Sequence, residues 1–196
     1  MRIKLSLVIG FSLLSACTAM PPKSTEDLCR IFAEKDDWYG ATLSSAKRWG
    51  IPIAVQMAII HQESKFVADA LPPRPFLLGF IPWFRSSSAY GYPQAKDDTW
   101  ADYQRQTGSW LASREDFADS TDFVAWYCAI SHKKLGIAAA DANNLYLTYH
   151  EGLSGYQHNN HLAKPWLLTV AQKVNQRALR YDSQLSTCRD ELESKN

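Results

Sequence analysis

The chain has no surplus of either charge sign. Its 21 Lys and Arg face 20 Asp and Glu, for a formal net charge of +1. That balance gives no broad electrostatic pull toward nucleic acid, so no nucleic-acid partner is expected. Strand-like alternation of apolar and polar residues is missing throughout, and no internal repeat occurs, which leaves an all-α chain with no obvious second domain. There is no glycine-rich phosphate loop and no Ser-His-Asp order. The five histidines lack companions. His158 and His161 are three apart, a spacing that can put two ligands on one helical face, but they sit in polar loop without an acid-rich ligand set. No metal and no cofactor are therefore expected. Cys128 and His132 share an i, i+4 spacing, yet Cys128 lies in an apolar helical run and reads as a small buried hydrophobe.

Apolar runs are also short. Leu5 to Leu14, behind the basic residues Arg2 and Lys4, cannot span a bilayer as a mature helix and reads as a targeting segment. It leads into Leu14-Ser-Ala-Cys17, which resembles a bacterial lipobox. The resemblance implies a signal peptide over residues 1–16, lipidation of Cys17 and a membrane anchor there. The alternatives are an ordinary secretory peptide cut nearby or an uncut anchor. Thr18, where an Asp would resemble an inner-membrane retention signal, tilts the expectation to the periplasmic face of the outer membrane. Residues 17–23, with Pro21-Pro22, read as a lipidated tether, and residues 24–196 as one domain. An oxidising periplasm permits a disulfide. Three cysteines beyond Cys17 allow three pairs; Cys29 and Cys188 flank the domain, and their pairing would staple its ends.

Helical pattern dominates residues 24–196. Ser24-Thr-Glu-Asp27 looks like a helix start running through Cys29 and Phe32; a second helix covers about Trp38 to Trp49, with Gly50 closing it. Further helices are expected from about Asp98 to Gly108, over Ser113 to Ala118, and over Asp122 to Lys134. Asp141 caps another that carries Leu145, Tyr146, Tyr149 and His150 and ends at Glu151-Gly152-Leu153-Ser154-Gly155. Pro165 opens a long last helix whose Leu167, Val170, Ala171, Val174, Ala178 and Tyr181 form one stripe. Residues 67–88 break the pattern: over residues 71–84 prolines recur too often for a helix, while Phe76, Phe80, Trp83 and Phe84 argue against a floppy segment. This long loop either packs its aromatics on its own domain or serves as a groove wall, a membrane lip or a docking site for a protein partner. The seven Trp and nine Tyr suit a core and also suit stacking on sugars.

One stretch organises the rest. Ile51 to Phe66 is almost wholly apolar up to Glu63, with Pro52 placed for a first helical turn and Ile53, Met57 and Ile60 on one face. Glu63 continues that apolar face at the helix end. Burial and the negative end of the helix dipole both disfavour a charged carboxylate, so its pKa is expected to rise, as a general acid at neutral pH requires.

Three pieces then stand in order: Glu63-Ser-Lys-Phe66, Gly91-Tyr-Pro-Gln94 and Thr148-Tyr-His-Glu-Gly152. Together they resemble the motifs of the lysozyme-like lytic transglycosylases, the SLT-type domains related to goose-type lysozyme, over roughly residues 45–180. The first motif matches E-S-x-F. The second keeps Gly91 and Gln94 of G-L-M-Q but has Tyr92-Pro93 between them. The third keeps Tyr149 and Gly152 of A-Y-N-A-G but places His150 and Glu151 inside.

The resemblance implies a single lysozyme-like helical domain with the Pro/aromatic loop beside its groove. It also implies a peptidoglycan lytic transglycosylase that cleaves the MurNAc-GlcNAc β-1,4 bond. Glu63 would protonate the leaving oxygen, then take the proton of the C6 hydroxyl that closes on C1 to give a 1,6-anhydro end, so one carboxylate suffices. Ser64 would hydrogen-bond near the cleaved bond, the alternative being a helix-end Ser bonded to backbone; Gln94 would hold an acetamido or hydroxyl group; and Tyr149 would bond Glu63 and fix its rotamer, the alternative being a core Tyr with a satisfied hydroxyl. Gly91 and Tyr92 would let backbone approach the ligand. His150 would be a polar groove residue or a partner of Glu63 or Glu151. Glu151 is read as a helix-end residue facing solvent or bonded to backbone; as a second carboxylate it could instead activate water and make a hydrolytic muramidase. A catalytically weak peptidoglycan-binding lipoprotein is the remaining alternative.

Overall fold

A computed structural model describes residues 20–74, 76–77, 81–82 and 87–195. The expected signal peptide (1–16), Cys17 and the loop aromatics Phe80, Trp83 and Phe84 lie outside the described residues. Seven α-helices are present among those described: α1 (Leu28–Glu34), α2 (Asp36–Trp49), α3 (Ile53–Ser64), α4 (Asp97–Thr107), α5 (Phe117–Leu135), α6 (Ala142–Gln157) and α7 (Pro165–Glu193), with a 3-10 turn over Asn160–Ala163. The fold is all-α and lysozyme-like. The one small sheet among the described residues is a two-residue antiparallel ladder, β1 (Phe76–Leu77) against β2 (Ile81–Pro82), inside the proline-rich loop.

Helix α3 is the axis. Every residue from Ile53 to His61 is buried, because α7 and α5 cover two sides and α2 and α6 the others. Such an all-round apolar helix has no solvent face and gains its stability from packing rather than from propensity. Pro52 precedes it as the N-cap rather than standing in its first turn. The helix stops because Lys65 and Phe66 both take the left-handed conformation (φ 54° and 63°). For a bulky aromatic this is strained by about 1–3 kcal/mol. The strain is offset because Phe66 is turned back into the core, fully buried against Trp38 and His61 at 5.5 and 5.6 Å, a gain of about 2–3 kcal/mol. The Phe of the first motif is thus an anchor for the end of the helix that carries Glu63.

Several boundaries differ from expectation. Asp27, not Ser24, caps α1, its side chain accepting from the Arg30 amide at 3.1 Å. The preceding residues dock on α7: Glu26 pairs with Arg177 (3.0 Å) and Arg180 (2.7 Å), and Tyr181 bonds the Thr25 carbonyl. Nor are residues 20–23 a free tether, since Pro22 is buried and Met20 and Lys23 are tied to Lys35 and Glu34. No helix forms over residues 113–116; Asp116 is instead the cap of α5, which starts five residues earlier than its apolar period suggested. α6 does not end at Glu151. Gly152 (φ 77°, ψ 161°) breaks it there and a second helical turn continues to Gln157.

The cysteines divide as their surroundings require. Cys29 on α1 and Cys188 on α7 are joined at an S–S distance of 2.09 Å, closing 159 residues of chain. Cys128 is free and fully buried, and burial pushes its thiol well up, which makes it inert as a nucleophile.

Candidate active site

Helix ends and one tight turn converge on a cavity of about 430 Å³. Glu63 from the end of α3 lies at one side. Gln94 comes from the turn between Tyr90 and Ala95, and Tyr149, His150, Glu151 and Gly152 come from the break in α6. Phe123 and Tyr127 on α5 add an aromatic wall, with the Tyr127 and Tyr149 rings edge to face at 5.3 Å. Pro72 and Pro73 bring the start of the proline-rich loop to the rim.

Glu63 is half-buried, its accessible surface opening on the cavity. Burial is the largest influence on it and raises its pKa to about 7; a hydrogen bond with Tyr146 and the nearby Lys65 charge act the other way. The carboxyl is therefore largely protonated just below neutrality and readily ionised just above it. Tyr146 is the residue that sequence reasoning missed. It is buried one helical turn before Tyr149 on the same side of α6, and its hydroxyl acts on the Glu63 carboxyl in favour of the ionised form.

The expected role of Tyr149 is corrected accordingly. Its hydroxyl donates to the Pro93 carbonyl at 2.6 Å, so it ties α6 to the Gln94 turn rather than fixing the Glu63 rotamer. It still faces Glu63 across the cavity, and burial followed by the Glu63 charge pushes its phenol far up. Ser64 is not a groove residue. It is buried and its hydroxyl donates back to the Ile60 carbonyl at 3.2 Å, as Ser at a helix end commonly does.

In the second motif the structure separates the residues. Gln94 lines the cavity with its amide nitrogen donating to the carbonyls of Ala70 (2.8 Å) and Gly91 (3.0 Å), which leaves the amide oxygen as the group for a ligand. Tyr92 is core, only 1 % exposed and edge-on to Trp38 and Phe117. Gly91 admits close approach, but of protein: a Cβ there would stand 2.2 Å from the Arg114 carbonyl oxygen, and φ is +76°. Its amide donates to Ala70, and the Tyr92 amide donates to Arg114.

Glu151 is neither solvated nor bonded to backbone. Its side chain is 4 % exposed and accepts from Lys164 Nζ through both oxygens, at 2.7 and 2.9 Å, with His150 Nδ1 at 2.9 Å. The Lys164 bonds hold its carboxyl below the usual range against the opposing effect of burial, and His150 assists. His150 lines the cavity and packs its ring edge to face with Trp166 at 5.3 Å, the latter 56 % exposed. Lys164 carried no signal beyond preceding Pro165. No group of three or more His, Cys, Asp or Glu among the described residues could hold a metal, and His161 stacks on Tyr156 instead.

A buried helix that ends on a protonatable carboxyl, facing a turn with Gln94 and a broken helix with Tyr149, is the centre of a lysozyme-like domain. A family model described as the transglycosylase SLT domain matches residues 5–188. The chain belongs to that family, and its general role is lytic transglycosylase-type action on peptidoglycan. No curated protein matches the chain, and no solved structure does.

Proposed function

We propose that the protein cuts peptidoglycan glycan strands at the MurNAc-GlcNAc β-1,4 bond by lytic transglycosylation, with Glu63 as acid and then base. The observation that carries this reading is that the buried helix α3 ends by presenting the Glu63 carboxyl to the cavity shared with Gln94 and Tyr149; burial there pushes its pKa up to about 7, which suits both halves of the reaction. In the first half, protonated Glu63 gives its proton to the glycosidic oxygen as that bond breaks and positive charge grows on the muramic ring. In the second, the Glu63 carboxylate takes the proton of the C6 hydroxyl while that oxygen bonds C1. The proton inventory closes, and Glu63 returns to its starting form. Tyr146 holds the carboxyl in place through both states, and the Gln94 amide oxygen accepts from a sugar amide or hydroxyl.

Hydrolysis with Glu151 as base is disfavoured by its partners. Both its oxygens are engaged by Lys164, and a carboxylate held below its usual pKa is a poor base for water. A pure binding role gives no return on the energetic cost of keeping Glu63 buried. Digestion of peptidoglycan in 18O-labelled water separates the readings. Transglycosylation yields anhydro ends without label, whereas labelled reducing ends would sink it in favour of hydrolysis.

The same proposal places the protein in the cell envelope, on the periplasmic face of the outer membrane, anchored through lipid on Cys17 after loss of residues 1–16. The basic start, short apolar run and lipobox-like residues support it. No helix among the described residues is long and apolar enough to cross a membrane. Residues 71–86, which reach the cavity rim at Pro72 and Pro73, are the segment we assign to contacts with the glycan or with a protein partner.

A further inference from the structure

Four residues that line the cavity carry carboxyl, amino or imidazole side chains, and three are accounted for. Glu63 is the reacting carboxyl, and Glu151 and His150 are bonded to each other, with Lys164 closing the pair. The fourth, Lys96, has no side-chain hydrogen-bond or ion-pair partner among the described residues; its carbonyl accepts from the Trp100 amide. The two nearest acids in the chain do not serve it. Asp97 is engaged by Arg114 at 2.8 Å, and Asp98 does not line the cavity. On the same wall stands Thr99, whose hydroxyl is likewise uncommitted among the described residues.

The position of Lys96 is also unfavourable for the fold. It is the N-cap of α4 and makes no capping hydrogen bond. An ammonium has no lone pair with which to accept from the helix amides, and its charge opposes the positive end of the helix dipole. Ser, Thr, Asp or Asn there would be better for stability. The Lys N-caps of α2 and α7, Lys35 and Lys164, likewise make no capping bond, and their ammonium groups bind the Met20 carbonyl and Glu151; Lys96 has no such contact among the described residues.

The chemistry of the strand offers Lys96 a partner. Its sugar rings are neutral, and neutral donors serve their hydroxyl and acetamido groups. The carboxylates belong to the peptide stems that hang from the lactyl ethers of the muramic acids. An exposed lysine on the wall of the same cavity as Glu63, its ammonium uncommitted among the described residues, is matched to such a carboxylate.

We propose that Lys96 is a specificity residue of the groove, taking a stem-peptide carboxylate so that peptide-bearing strands bind in preference to uncharged glycan. This rests on the glycan-cleaving reading of the same cavity, so the test reads binding apart from turnover. The full chain carrying Glu63→Gln is titrated with soluble glycan strands that keep their stems, and with N-acetylglucosamine oligomers of matched length, which carry no carboxylate. Adding Lys96→Met is expected to weaken binding of peptide-bearing strands about five- to tenfold. Lys96→Arg should restore it, added salt should erode it, and binding of the uncharged oligomers should change less than about twofold. An equal loss on strands and oligomers would make Lys96 a sugar contact and overturn the proposal, as would no loss on either. Turnover of the unaltered protein is followed in parallel. Its absence would count against transglycosylation while the binding comparison still decides the role of Lys96.

Discussion

Burial holds the Glu63 carboxyl near pKa 7, against an ordinary value of 4.5, so over that interval the folded chain keeps a proton that the unfolded chain has released. The resulting stabilisation is fully present below about pH 4.5 and is lost as pH rises through about 7. Glu63→Gln is therefore expected to remove activity by a factor of about 10²–10⁴ and yet to stabilise the fold at pH 8. The gain should be on the order of 1–3 kcal/mol, a few degrees in thermal midpoint, and should vanish at acid pH. Thermal melts of both proteins at pH 5 and pH 8 check it. His61 has the opposite sign: burial, Arg177 and Lys65 bring it down to about 3, so its contribution is present above pH 6.5 and lost as pH falls toward 3. Tyr146→Phe deletes the bond that favours ionised Glu63. The alkaline limb of the pH–rate profile should move up by roughly half a unit to one unit, while Tyr149→Phe should leave that limb in place.

Two turns position the cavity walls, and both depend on a glycine at positive φ, for different reasons. At Gly152 an added Cβ meets open space, so Gly152→Ala carries backbone strain alone, about 1–3 kcal/mol. Because Gly152 sets the exit of α6 beside Glu151, we expect activity to fall further than stability. Gly91→Ala adds a collision with the Arg114 backbone, which cannot move aside as a side chain can, and should unfold the turn that carries Gln94. Denaturant melts with activity assays rank the two. The helices themselves were legible because caps and period agree: Asp141 before α6, Pro165 at the start of α7, and an apolar run long enough to bury α3 on all sides. Elements with competing signals were misread. Asp116 lies inside what looks like a short helix, and its capping role emerges only from the Asp119 amide it receives at 2.9 Å. Side-chain partners were less legible still. Tyr146 and Tyr149 are three apart on one helical face, and nothing in their order says which hydroxyl reaches Glu63 and which reaches Pro93. Ser64 and Tyr92 sit in the right motifs but face helix backbone and core, because a motif specifies spacing and not the rotation of each side chain.

The domain is closed where its first and last described helices meet. α1 rests on α7, Glu26 binds Arg177 and Arg180, and the Cys29–Cys188 bond spans 159 residues of sequence. A crosslink over so long a loop removes much of the freedom of the unfolded chain. The double variant Cys29→Ser, Cys188→Ser should lose about 2–5 kcal/mol in denaturant melts while keeping its specific activity when folded, since the bond is remote from the cavity. These two helices thus stabilise a frame in which one buried helix presents one carboxyl to a groove. The direct test is mass spectrometry of the products released from purified peptidoglycan by the protein and by its Glu63→Gln variant. With Glu63 as acid and base, 1,6-anhydro-muropeptides are expected from the first and none from the second. Reducing ends without anhydro products, or anhydro products that persist in the variant, would contradict that role.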